Sequence, residues 1–416
     1  MADSVEPVDE FRARARRWLR KNLAPHGTDA QHRDQSRAAR LQRQRDLQGV
    51  LFDGGFAGLT FPLAYGGQGL MRAHLQAFSE ETAGYDVPSL LAVPSIGVLG
   101  ATLLDCGTEE QKRRHIPEIL RGTEIWVQLL SEPSGGSDMA GVRTRADRDG
   151  DEFIVNGSKI WTTNGIYADF GLCLARTDAS LPKHRGLTML IVPLRAAGVE
   201  IREIRVAGGQ SDFCEEFFDD VRVPAENVVG GFNHGWATAS ALLIHERDTV
   251  GGNSQYANID DEMAGDGTSM AELATLAFAA RARGETGTFE RVADAWVRDY
   301  AHLCLVDRIV ALVADGSLPA EAGALLKLSA AMRGAHRDDI ALQLSGTDAV
   351  LGEPTAAEPY EFGRRFLMRQ AMCLAGGSNE MQQNLISERL LGLPREHRPD
   401  IGLSFSEIPS GRDRHR

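Results

Sequence analysis

Apolar residues recur at the three-to-four-residue spacing of a helix from Val8 to about Gly122, and the repeat breaks at the Gly- and Pro-bearing stretches Gly54–Gly58, Phe61–Gly69 and Val93–Gly97. The pattern predicts an all-helical first domain over 1–125. From about Gln128 to Gly230 the period falls to near two, in the short runs Glu152–Val155, Phe170–Ala175, Thr188–Val192, Glu200–Arg205 and Glu215–Asp219, with Asn156-Gly157 read as a turn between strands. A β-domain is expected over 126–233. Long helical patterns return from Trp236, among them Leu273–Arg283, Phe289–Ala314, Ala320–Leu344 and Glu361–Ala375, and predict a helical domain over 234–398. The polar, glycine-containing stretch Asn253–Ser269 reads as a loop or lid, and 399–416 as a frayed polar tail. This helix, sheet, helix order suits a ligand held where domains meet.

Composition narrows the function classes. With 416 residues, 43% hydrophobic and 25% charged, the chain has the makeup of a soluble globular protein of two or three domains. A formal net charge of -13 argues against a nucleic-acid partner, which needs a concentrated basic surface. Apolar runs such as the one ending at Ile244 are interrupted well short of the roughly 20 residues that span a bilayer, so no membrane span is expected. The first helix carries Arg12, Arg14, Arg16 and Arg17 but also Asp3, Glu6, Asp9 and Glu10, and organelle transit peptides are poor in acids. With Phe11, Ala15, Trp18 and Leu19 at helical spacing it reads as a surface helix with one buried face. Five cysteines, Cys106, Cys173, Cys214, Cys304 and Cys373, form no C-x-x-C pair and have no histidine at metal-ligand spacing, which points to no metal and fits a reducing cytoplasm.

Two segments concentrate candidate chemistry. Gln128–Gly141, QLLSEPSGGSDMAG, is dense in Gly, Ser and Pro; it is either a plain surface loop or one whose backbone approaches a flat ligand, with free N–H groups and hydroxyls as donors. Some residues later Gly157–Gly165, GSKIWTTNG, brings an aromatic and two hydroxyls to a strand or its exit. A lone Trp there is more often core than the wall of a cofactor site. A second Gly/Ser loop beside it favours a stacked ring.

The pair resembles the two flavin-binding signatures of the acyl-CoA dehydrogenase family, in the same order and at a similar separation. The likeness continues through FPLAYGGQGL at Phe61–Leu70, CGTEEQKRRHIPEILRGTEIW at Cys106–Trp126, CEEFFDDVRVPAENVVGGFNHGW at Cys214–Trp236 and GGSNEMQQNLISERLLGLPRE at Gly376–Glu396. The resemblance implies a helical N-terminal domain, a β-barrel-like middle domain and a C-terminal four-helix bundle. It implies non-covalent FAD, oxidation of the Cα–Cβ bond of an acyl-CoA thioester, and an electron-transferring flavoprotein as acceptor. Carried over by position, Gln128, Leu130 and Ser131 stand near the pyrimidine edge of the isoalloxazine, within a cofactor loop that includes Gly136. Trp161 and Thr163 stand on its other side, Thr163 close to N5. Ser137 would contact both flavin and the thioester-linked pantetheine, and Ser378 and Glu380 the FAD phosphates or ribose.

Such chemistry needs a carboxylate that takes an α-proton from the thioester. Many members of the family carry it just before a C-terminal Gly-Thr, where this chain has Gly376-Gly377-Ser378. Either the subunit is inactive or the base lies elsewhere. Isovaleryl- and long-chain-specific relatives place it as Glu-Arg on the first long helix of the C-terminal domain, and LLIHERD at Leu242–Asp248 matches that position. Glu246 is therefore the expected base, with Arg247 its neighbour on the substrate side; the alternative is a solvated surface pair. Gly251-Gly252 follow, either as room for a bulky acyl group or as the end of the helix.

In the family's homotetramer a neighbouring subunit completes the FAD site with an Arg before Phe-Gly and a Gln before a glycine cluster. Here these regions read AARARGETGTF at Ala279–Phe289 and LQLSGTDAVL at Leu342–Leu351. Arg281 or Arg283 and Gln343 remain candidates, and the altered motifs open an α2β2 heterotetramer with a related subunit beside the homotetramer. An oxidase, a dehydrogenase of carrier-protein thioesters, and a non-catalytic FAD-supporting subunit are the competing readings.

Overall fold

The computed structural model describes residues 6–25, 36–250, 268–351 and 359–408. Gly251-Gly252 and residues 253–267 of the expected lid lie outside them. The chain forms two compact units, one made of 1–204, 211–260 and 398–416, the other of 205–210 and 261–397. Helix Gly235–Val250, grouped by its sequence pattern with the C-terminal bundle, belongs to the first unit, and so does the segment after residue 397.

The first unit begins with the helices Val8–Asn22, Arg37–Asp53 and Arg72–Thr82. Phe11, Ala15 and Leu19 fall on one face and are fully buried with Leu51, Phe56 and Phe78. The arginines of the opposite face find acids: Arg12 reaches Glu80 and Glu81, Arg14 reaches Glu6, and Arg16 reaches Glu81. Val93–Gly97, read as a loop, is instead helical, within a wide π-type stretch Ala92–Gly100. The wider turn accommodates Pro94, which has no N–H to give. Ser95 holds this stretch to the sheet, its hydroxyl donating to the Trp126 carbonyl at 3.1 Å and accepting the Trp126 N–H at 3.0 Å.

The sheet has eight strands: β1 (Trp126–Leu129), β2 (Arg145–Asp149), β3 (Glu152–Thr163), β4 (Phe170–Arg176), β5 (Leu187–Pro193), β6 (Val199–Ile204), β7 (Phe213–Pro224) and β8 (Val228–Val229). They run β6-β7-β3-β2-β4-β5-β8, with β1 parallel to β4. All five expected runs are strands. The Asn156-Gly157 turn is a correction: both residues lie inside β3, at a break in its register with β7. Gly157 has φ +146° and passes so close to Thr144 that a Cβ would sit 2.6 Å from its hydroxyl, so the glycine marks a bulge. The true hairpin turn is one motif earlier, where Asp149 pairs with Glu152 around Gly150 at φ +65°.

The second unit contains the helices Met270–Ala282, Thr288–Ala314 and Gly323–Ser345, followed by Pro359–Met368, Ala371–Leu374 and Asn379–Leu385. Its core is built largely from small residues, Ala277, Ala280, Ala295 and Ala341 with Leu273, Ile340 and Leu344, which lets the helices approach closely. A Ser269–Glu272 capping box starts the first helix. Trp296, Tyr300, Leu303 and Val310 on Thr288–Ala314 remain exposed.

Candidate active site

The loop after β1 is fixed from below by one buried carboxylate. Glu132 accepts the backbone N–H groups of Arg143 and Thr144 at 2.6 and 2.8 Å and the Lys159 ammonium at 2.9 Å. Lys159, fully buried on β3, also donates to the Leu130 carbonyl at 3.1 Å, and the Ile160 N–H reaches the Ser131 carbonyl at 3.0 Å. The two motifs are thereby tied together. Burial pushes the Glu132 carboxyl up, but Lys159 and the two N–H groups outweigh it and hold the acid below the usual range. Neither Glu132 nor Lys159 was assigned a role from sequence. The signal was there, a charged residue set in each of two small-residue segments.

Above this anchor the loop is open. Ser134 to Asp138 are exposed, Ser131 is half-buried, and a Cβ on Gly136 would come within 3.3 Å of the Ser131 hydroxyl. Leu130 turns its side chain into the core and offers only backbone. On β3 the register slips between Ile160 and Thr162, and Trp161 takes φ +67°, a conformation that costs a bulky residue on the order of 1 kcal/mol or more. The bulge leaves the indole 55% exposed, edge-on to Phe213 at 5.9 Å, while Thr162 turns inward and Thr163 stays half-buried. Thr162 donates to Glu216 at 2.7 Å. Glu216 is fully buried, its second oxygen has no hydrogen-bond partner, and desolvation pushes its carboxyl up to about 7.

Glu246 stands on Gly235–Val250, whose start is built against β5. Gly235 meets the Thr188 backbone so closely that a Cβ would lie 2.7 Å away, which only glycine permits. Asn233, at φ +60°, donates its N–H to the Thr188 hydroxyl at 2.9 Å and accepts from the Thr177 hydroxyl at 2.7 Å. Ala239 and Leu242 are fully buried, and Glu246 follows Leu242 by four residues on the same face. It is not a solvated surface acid. The Gln128 amide donates to its Oε2 at 3.1 Å, linking it to β1 and the loop. Burial raises its carboxyl above the ordinary value; the Gln128 bond and the charge of Arg247 pull the other way without cancelling it. Arg247 is exposed, and His245 turns away to Asp105 at 2.8 Å. A half-buried carboxylate with enhanced proton affinity and one amide donor is suited to general-base work.

Four sequence candidates stand on the second unit. Arg281 lies over the Phe289 ring at 5.6 Å, and Gln343 is exposed on Gly323–Ser345. Ser378 caps Asn379–Leu385 by accepting the Met381 N–H, and Glu380 is exposed in that first turn. At Gly376, where relatives were expected to carry the base, φ is +64°, so a glutamate there would be strained.

Comparison with known proteins covers nearly the whole chain. The acyl-CoA dehydrogenase N-terminal domain matches residues 6–123, the middle domain 128–221 and the C-terminal domain 268–391. The chain is 35% identical over 410 residues to acyl-CoA dehydrogenase IpdE1 of Mycobacterium tuberculosis, covering 94% of this chain and 99% of that protein. Among solved structures it resembles the Tcur3481-Tcur3483 steroid ACAD, with a TM-score of 0.73, 27% identity, and coverage of 94% of this chain and 99% of that one. It also resembles the ChsE4-ChsE5 complex from Mycobacterium tuberculosis, with a TM-score of 0.69, 27% identity, and coverage of 95% and 100%. With all three of its domains matched in order, this chain belongs to the acyl-CoA dehydrogenase family of flavin-dependent oxidoreductases.

Proposed function

We propose that the chain holds FAD non-covalently and oxidises the Cα–Cβ bond of an acyl-CoA thioester, with Glu246 taking the α-proton. The observation that carries this reading is the placement of Glu246: on the inward face of its helix, raised in proton affinity, and hydrogen-bonded to the residue that opens the flavin loop. The exposed small-residue loop and the open indole of Trp161 fit a flat ring. Gln128, Ser131, Gly136, Ser137, Trp161 and Thr163 would hold it, with Leu130 contributing backbone. Ser378 and Glu380 are proposed phosphate or ribose contacts, and Arg281 or Arg283 and Gln343 are proposed contacts donated to the FAD of a neighbouring subunit. Bound FAD would supply the acceptor for the β-hydrogen, which leaves as hydride.

The chain's own groups supply the rest. A thioester α-carbon is a weak acid, so its base must bind the proton tightly, and burial gives Glu246 that tendency. The Gln128 amide holds the carboxylate in one orientation for the transfer. Ser137 and Arg247 are the proposed thioester contacts. Electrons would leave to an electron-transferring flavoprotein. The exposed Trp296, Tyr300, Leu303 and Val310 support assembly into a homotetramer or an α2β2 heterotetramer with a related subunit. Five cysteines without a disulfide support a reducing, cytoplasmic setting.

Anaerobic titration of the purified protein with short, branched and steroid-side-chain CoA thioesters tests the reading. Bleaching of the flavin absorbance by one of them, with slow return in air, is expected. Fast return in air would make the chain an oxidase, and protein free of flavin would remove the chain's own cofactor site.

A further inference from the structure

Residues 399–408 of the tail expected to fray are docked, with Arg398, on the first unit. The N–H groups of Phe405 and Ser406 donate to the carbonyls of Leu181 and Ala179 at 2.9 and 3.0 Å, so the segment pairs with the β4–β5 connection. Two cations, Arg176 at the end of β4 and Lys183 in that connection, reach the loop that bears Ser137. Arg176 donates to the Ala140 carbonyl at 2.6 Å and the Lys183 carbonyl at 2.7 Å, and its guanidinium is covered by the Phe405 ring at 3.8 Å. Lys183 binds both oxygens of Asp138, at 3.0 and 3.2 Å, and also Asp400 of the terminal segment.

We propose that residues 398–408 form a strap that holds the loop Gly136–Gly141 in its thioester-binding shape, with Lys183, Asp400 and Phe405 as positioning residues. Within the loop itself the hydrogen bonds are local, between the Glu132 and Gly135 backbones and from the Gly141 N–H to the Asp138 carbonyl. Ser134 to Asp138 are exposed and rich in glycine and serine, so left alone the segment would sample many shapes. Glu132 ties the near end of the loop to its far end, through the Arg143 and Thr144 N–H groups. Between those ends the Ala140 carbonyl accepts from Arg176 and the Asp138 carboxylate accepts from Lys183, and the strap touches both cations. The ring of Phe405 keeps water from one face of Arg176, whose proton affinity burial lowers to about 10, and strengthens its bonds to the loop carbonyls. Asp400 fixes the Lys183 ammonium where it can hold Asp138, and Lys183 in turn holds the Asp400 carboxyl below the usual range. Charge-assisted bonds of this kind are the stronger ones in proteins.

This inference rests on the reading of Ser137 as a thioester contact, and the experiment separates the two. Phe405 and Asp400 belong to none of the four hydrophobic clusters of the described residues, and Phe405→Ala and Asp400→Asn leave the proposed base in place. In both variants hydrogen exchange of residues 136–142 should quicken, and KM for the thioester that best bleaches the wild type should rise about tenfold, with kcat held within about twofold. Lys183→Met should do the same and Lys183→Arg should restore it. Unchanged exchange, an unchanged KM, or a fall in kcat alone would overturn the strap. If no thioester in the panel reduces the wild type, the reading of the site falls, and with it the role of Ser137.

Discussion

Glu132 and Glu246 are two acids bonded along one stretch, β1 and the loop after it, and their surroundings push them in opposite directions. Glu132 is enclosed by a lysine and two backbone N–H groups, so its charge is compensated on every side and its proton affinity is low. Glu246 has burial without an ion pair among the described residues, an amide donor, and a raised proton affinity. One carboxylate holds the loop; the other is the proposed base. Desolvation acts on both, and the number and charge of the donors decides which way each one goes.

The sharpest way to break this comparison is to remove the proposed base. Glu246→Gln keeps the size and polarity of the side chain, and should lower the rate of flavin reduction by about 10²- to 10⁴-fold while the yellow cofactor stays bound, as read by anaerobic rapid mixing. The same change at Glu132 should act on stability and flavin retention instead. Lys159→Met strands a buried carboxylate, and a loss of about 3–5 kcal/mol in chemical denaturation is expected. Adding Glu132→Gln should recover part of it; if the double variant loses the sum of the two single losses, Lys159 and Glu132 are not a coupled pair.

Glu216 sharpens the contrast as a third case, buried like Glu132 but without an ion pair among the described residues. Its carboxyl is raised to about 7, so the folded state binds its proton more tightly than the unfolded chain. The stability from burying the neutral acid is fully present below about pH 4.5 and declines as pH rises to about 7. Glu216→Gln removes that decline, and melting followed against pH should show the variant gaining on the wild type across this window, by at most roughly 3 kcal/mol. A constant difference at all pH values would mean that Glu216 does not titrate there.

Much of this arrangement was legible in the chain. Period-two runs located the strands, and the two Gly/Ser segments located the loop, because small residues and alternation are local signals. Glu246 was legible only through resemblance. What escaped was pairing across long separations. Nothing local in Lys159 announces that it reaches Glu132, 27 residues earlier. Asn156-Gly157 has the chemistry of a tight turn, yet close passage by Thr144 makes it a bulge inside a strand. The terminal segment looked unpacked because its contacts are backbone pairing, one ring and one carboxylate, which leave no apolar period to read.

The central claim, that Glu246 takes the α-proton, is tested most directly by exchange of that proton. The purified protein is incubated in D2O with the thioester that bleaches it, and deuterium at the α-carbon is followed by mass spectrometry or NMR. Wild type should incorporate deuterium and Glu246→Gln, with its flavin still bound, should incorporate none above the uncatalysed rate. Exchange at the wild-type rate in the variant would contradict the assignment and send the search for the base elsewhere.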